Sequence, residues 1–213
     1  MVEAYVAPLS PNPMAALLSL PPLQLLLLAQ GPTASLGGDG AWLPAAASRL
    51  ADLLGLPVQT VDSVAEPQEA MAQLSRCPDP WLAALPLDPG LALACGGHWA
   101  ELLGAWRQPS LLVLEPAQLA TGLPAAGTAL LQRWQVPLVG LIQWGGPWDP
   151  EARRRDGLPW LGCLAGPSEL PPGMPTEASE AALTEVALTE ADDQALGLRL
   201  RRRWAHLDRL PGA

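Results

Sequence analysis

The chain has 213 residues, about half of them hydrophobic, which suits one domain of ordinary size with a sizeable core and argues against wholesale disorder. Its formal net charge of −9 argues against nucleic acid and against an anionic membrane surface as partners, because both demand basic side chains facing phosphates. All 12 basic residues are arginine, and with one isoleucine, one asparagine and no phenylalanine the bias fits a GC-rich coding sequence.

Residues 1–22 are expected to form a disordered leader, with Met14 an alternative start, and residues 23–213 a single domain. The apolar run Leu23–Ala29 reads as a buried strand. A glycine-rich segment, "QGPTASLGGDGAW", follows it, and then a helix with Leu43, Ala46, Ala47, Leu50, Leu53 and Leu54 on one face, stopped by Gly55. Leu56–Val64 is rich in β-branched residues and reads as a second strand. Pro67 opens a helix, Gly90–Ala94 reads as a third strand, and another helix follows Gly96 and Gly97.

Ser110–Glu115 is the clearest strand, and a helix opened by Pro124 leads to a strand over Val136–Trp144. "GGPWDP" is a turn, "EARRRD" at most two helical turns, and "LPWLGCL" a last strand. Beyond a Pro/Gly-rich stretch, one or two C-terminal helices begin at about residue 176, roughly Glu177–Ala191 and Gln194–Leu207. Strands alternating with helices predict an α/β fold, a mostly parallel sheet with helices on both faces. Ligands of such sheets bind at the carboxyl ends of the strands, which directs attention to the loops after Ala29, Val61, Ala94, Glu115 and Gln143.

Those loops carry a pattern. "GPTASLGGD" stands where a phosphate loop G-T-D-T-x-V-G-K-T would, with Gly31 and Gly37 matching, Gly38 in place of the lysine and Asp39 in place of the magnesium-binding threonine. "LPVQTV" parallels K-P-V-Q-T-G through Pro57, Val58, Gln59 and Thr60, and "ALACGG" parallels V-E-G-A-G-G through Gly96 and Gly97. "QPSLLVLE", "VPLVGLIQW" and "LPWLGCL" parallel P-V-L-L-V, G-V-V-x-N and L-P-V-L-G-x-L in the same order. In these residues, from about Leu23 to Leu164, the chain resembles dethiobiotin synthetase, a P-loop NTPase-like enzyme of biotin synthesis.

The resemblance implies a P-loop NTPase-like fold. It implies ATP and Mg as cofactors, held around Gly31, Gly37, Gly38 and Gly40, with Gln143 reading adenine beside a wall of Pro159, Leu161 and Gly162. Gln59, Thr60, Gly96 and Gly97 would meet a small diamino-pelargonate-like substrate, and the reaction would close a ureido ring. It departs where chemistry needs cations: the chain has no lysine, and Arg49 and Arg107, the nearest arginines in sequence, fall on no motif position. A carboxylate such as Asp39 beside a triphosphate costs about 1 kcal/mol at roughly 4 Å in water and about 4 kcal/mol at a surface-like dielectric. The competing expectation is a non-catalytic descendant acting as a binding or partner module.

Other groups have plainer uses. "CGGH", Cys95 to His98, suggests a thiol–base pair or two metal ligands, against a buried cysteine and a helix-start histidine. Glu115 suits a catalytic carboxylate or an edge residue before Pro116. Arg153, Arg154 and Arg155 could bind an anion or form a solvated helix face, and Trp144, Trp148 and Trp160 could stack on a base or fill space. Three cysteines far apart in sequence point to no disulfide framework and to the cytoplasm. The tail, acidic and then basic, reads as an amphipathic docking helix and a possible homodimer contact.

Overall fold

The computed structural model describes residues 23–29, 42–61, 66–94, 96–166 and 180–207, with backbone only over 180–191. The leader, Gly31, Gly37, Gly38, Gly40, Asp39 and Cys95 lie outside the described residues.

The elements follow in chain order as β1 (Gln24–Leu28), α1 (Trp42–Leu54), β2 (Val58–Gln59), α2 (Pro67–Ser75), β3 (Trp81–Leu85) and α3 (Trp99–Ala105). After these come β4 (Ser110–Leu114), α4 (Pro116–Leu119), α5 (Leu123–Arg133), β5 (Leu138–Trp144), α6 (Pro150–Arg155), β6 (Trp160–Leu164) and α7 (Glu180–Leu207). All six strands are parallel, in the order β2-β3-β1-β4-β5-β6. This order differs from the dinucleotide-binding order 3-2-1-4-5-6 in placing β3 between β1 and β2.

Period-two alternation in β1 builds two cores. Leu25 and Leu27 point to one face, against Leu43, Ala46, Ala47 and Leu50 of α1 and Leu196 and Leu200 of α7. Leu26 and Leu28 point to the other, against α2, α3 and α5 through Met71, Leu103 and Leu131. All four β1 leucines are almost fully buried, each contributing about 2 kcal/mol relative to exposure. A strand apolar on both faces is therefore what a sheet covered on both faces demands.

Two sequence expectations are corrected. The third strand is Trp81–Leu85; Gly90–Ala94 holds only an isolated antiparallel bridge, Ala92 to His98. "WLAAL" and "GLALA" are equally apolar, but positive φ at Gly96 and Gly97 turns the chain back beside the second, and Leu93 N–H donates to Gly97 O. Of the second strand expected over Leu56–Val64, Val58–Gln59 form β2, an edge strand pairing with β3 alone, while residues 62–64 lie outside the described residues. Of the one or two helices expected for the tail, the structure has one, of 28 residues. Asp193, where a two-helix tail would break, is met by the guanidinium of Arg49 on α1, so its carboxylate is paired within the helix interface.

Candidate functional site

The connections after β1 and β4 leave in opposite directions along the sheet, so a crevice is expected between the carboxyl ends of those adjacent strands. Ala29, the last described residue before the glycine-rich segment, lies at this switch point. On the other side of the crevice Glu115 is the N-cap of α4. Its N–H donates to Gln118 Oε1 at 2.9 Å, and the two residues form a reciprocal capping box. Glu115 is thus committed to starting a helix.

Gln59 and Thr60 lie at the end of β2, two strands from β1, and Gln143 lies on β5, two strands away on the opposite side. Each is therefore offset from β1 by about 10 Å. Gln59 is half-buried and Thr60 exposed. Gly96 and Gly97 are exposed and come eleven and twelve residues after Leu85, the end of β3, rather than directly at a strand end. A Cβ on Gly97 would lie 2.7 Å from Glu101 Oε2, so this turn packs closely on the start of α3.

Gln143 is buried, and its Nε2 donates to Gly145 O at 2.7 Å and Pro147 O at 3.0 Å. It braces the loop that follows its own strand. Gly145 and Gly146 both have φ of 70°, a left-handed conformation that favours glycine. A Cβ on Gly146 would stand 2.6 Å from Pro116 Cγ, so the loop also closes on the start of α4. Gly145 N–H donates to Leu164 O, joining this loop to the end of β6.

The residues expected to form an adenine wall lie elsewhere along β6. Gln143 is level with Cys163, whereas Trp160 is level with Leu141, and Pro159 precedes Trp160 at the amino end. Leu161 is buried, its carbonyl accepts from Arg199 Nη1 at 2.9 Å, and Gly162 packs against Leu196 of α7. The register shifts beside Leu161, a bulge that re-aims this part of the strand.

That bulge borders a cleft of about 430 Å³ on the outer edge of the sheet, between α6, β6 and α7. Trp148, Trp160, Arg153, Arg154, Leu161 and Arg199 line it. The indoles of Trp148 and Trp160 meet edge to face with centroids 6.1 Å apart. Arg153 lies over the Trp160 ring at 5.2 Å and pairs with Asp156, whose Oδ2 also accepts from Trp160 Nε1 at 2.8 Å. The apolar–basic lining joins two features that were legible separately, the Arg153–Arg155 run and the tryptophan cluster. Arg199 came from the tail, and no local signal tied it to them.

Other cations singled out in the sequence have structural partners. Arg49 pairs with Asp193, and Arg107 lies just before β4, at the amino end of the sheet, with Nη1 donating to Gln135 O. Neither faces the switch point. His98 caps α3, its Nδ1 accepting from Glu101 N–H at 3.2 Å, and its ring meets Trp134 edge-on. Among the described residues no group of three or more His, Cys, Asp or Glu side chains could hold a metal ion. Asp149 caps α6; the N–H of Ala152, and then that of Glu151, hold its carboxyl below the usual range. Burial pushes the Cys163 thiol up to about 11. No helix among the described residues is long and apolar enough to cross a membrane.

Compared with known proteins, the chain matches no protein-family model and no curated protein.

Proposed function

We propose that this chain is a non-catalytic relative of the dethiobiotin synthetase-like P-loop proteins, a cytoplasmic binding or partner module that keeps the α/β frame without the phosphate chemistry. The observation that carries this reading is the state of Gln143: both bonds described for its amide nitrogen go to carbonyls of its own loop, Gly145 and Pro147. An amide spent in this way gives a base edge no donor until the loop opens. The absence of lysine anywhere in the chain supports the same reading, since a phosphate loop relies on an ammonium at the β/γ phosphates. Arg49 and Arg107 do not replace it, because their guanidinium groups are engaged away from the switch point.

A second reading, an active ATP- and Mg-dependent ring-closing enzyme with a small diamino substrate and a homodimeric assembly, is favoured by one observation. The glycine-rich segment follows, in sequence, Ala29 at the switch point that β1 and β4 create. Isothermal titration with ATP and ADP, with and without magnesium, separates the two. No magnesium-dependent binding is expected. Micromolar magnesium-dependent binding, followed by carboxylation and cyclisation of a diamino-pelargonate substrate, would overturn the non-catalytic reading.

A further inference from the structure

The cleft beside β6 has a lining that is both aromatic and cationic, and no residue bracing the switch point contributes to it. Its volume of about 430 Å³ falls in the range of small-ligand sites. The chain carries a net charge of −9, yet the lining holds three arginines and no carboxylate. One neighbouring carboxylate, Asp156, is shared between Arg153 and Trp160. Arg154 is exposed and has no carboxylate partner among the described residues. Arg199 spends an Nη1 donor on Leu161 O, and a guanidinium carries five N–H donors.

We propose that this cleft binds a small organic anion, a carboxylate or phosphate carried on a planar apolar body. The guanidinium groups of Arg154 and Arg199 take the anion, for which their planar forks are suited. The body lies against the indoles of Trp148 and Trp160, with Pro150 and Leu158 adding apolar lining. Arg153, held over Trp160 by Asp156, keeps that indole in place rather than meeting the ligand. The bulge at Leu161 lies in the lining of the cleft, a usual position for such an irregularity at a binding edge. This inference stands on the cleft alone and does not need the relationship to P-loop proteins.

The test is calorimetric titration of the full chain, without magnesium, using phenylpyruvate, indole-3-acetate and adenosine 5′-monophosphate as probes and adenosine as the uncharged control. At least one anion is expected to bind one-to-one with Kd below about 1 mM and to shift the indole N–H resonances of Trp148 and Trp160. Arg154→Gln, a change at an exposed position, is expected to weaken that binding about tenfold, and adenosine to bind at least as weakly. Binding by the monophosphate alone assigns a phosphate ligand, and binding by the acids alone assigns a carboxylate. No binding by any of the three anions overturns the proposal, as does binding unchanged in both Arg154→Gln and Trp148→Ala. Because magnesium is absent, these titrations read the cleft independently of any phosphate loop.

Discussion

The two edges of the sheet are protected by opposite means. β2 is blunted by being short: it pairs over two residues, and Val58 is 48% exposed. β6 pairs from end to end apart from the bulge at Leu161 and is flanked by α6 and α7. Both devices keep an edge from pairing with another chain. The second creates a concave surface, because two helices meeting a strand edge leave a space that side chains line. The contrast teaches that the means of covering an edge, rather than the strand itself, decides where a binding surface can form.

The largest expected effect is at the covered edge. A Cβ on Gly140 of β5 would lie 2.6 Å from Leu161 Cγ and 2.8 Å from Pro159 O. Gly140→Ala should therefore cost about 3 kcal/mol in urea denaturation, since backbone as well as side chain must move. A cost below about 0.5 kcal/mol would mean that the β6 edge yields freely, and the contrast would fail.

Next comes Cys163 of β6, whose thiol is raised by burial from 9.0 to about 11. In a variant with Cys77 and Cys95 replaced by serine, iodoacetamide should react slowly at pH 8, the rate climbing about tenfold per pH unit until near pH 11. The linkage has one sign: the fold favours the neutral thiol, so its contribution is full below pH 9.0 and is lost as pH rises through about 11. A rate that levels off near pH 9.0 would show this part of the edge to be open to water.

Gln143→Leu keeps the volume but leaves the carbonyls of Gly145 and Pro147 without their donor, at an expected cost of about 1 kcal/mol. An unchanged stability would show that Gln143 is not holding its loop and would free the amide for a ligand. The smallest effect belongs to the short edge, where Val58→Thr should change stability by less than about 0.5 kcal/mol.

Much of this fold was legible because burial on both faces writes continuous apolar runs. β1, β4 and β5 were each anticipated to within two residues, and the glycine stop after α1 is realised as Gly55 with φ of 66°. His98 as a helix start was legible for the same local reason, a side-chain acceptor three residues before a free N–H. The misreading of Gly90–Ala94 came from a limit of local pattern: two apolar pentapeptides nine residues apart compete for one place in the sheet. Partner registration decides between them, with Gln24 aligned to Trp81 and Leu28 to Leu85. The candidate site was legible in pieces. Arg153, Arg154, Trp148 and Trp160 drew attention as an arginine run and a tryptophan cluster, but Arg199 is 38 residues from Leu161, the residue it touches.

The sequence by itself determined the α/β class, the two-faced burial of the central strands, the absence of any lysine and the local caps. These depend on composition and on neighbours a few residues away. Only the tertiary structure decided which pentapeptide became β3, that Asp193 and Arg49 would let the tail run as one helix, and that Gln143 would brace its own loop. It also decided that α6, β6 and α7 would enclose a cleft. Each of these outcomes depends on which distant groups are brought within hydrogen-bonding or packing distance, and a parallel sheet assembles its neighbours across long crossovers that no local pattern records.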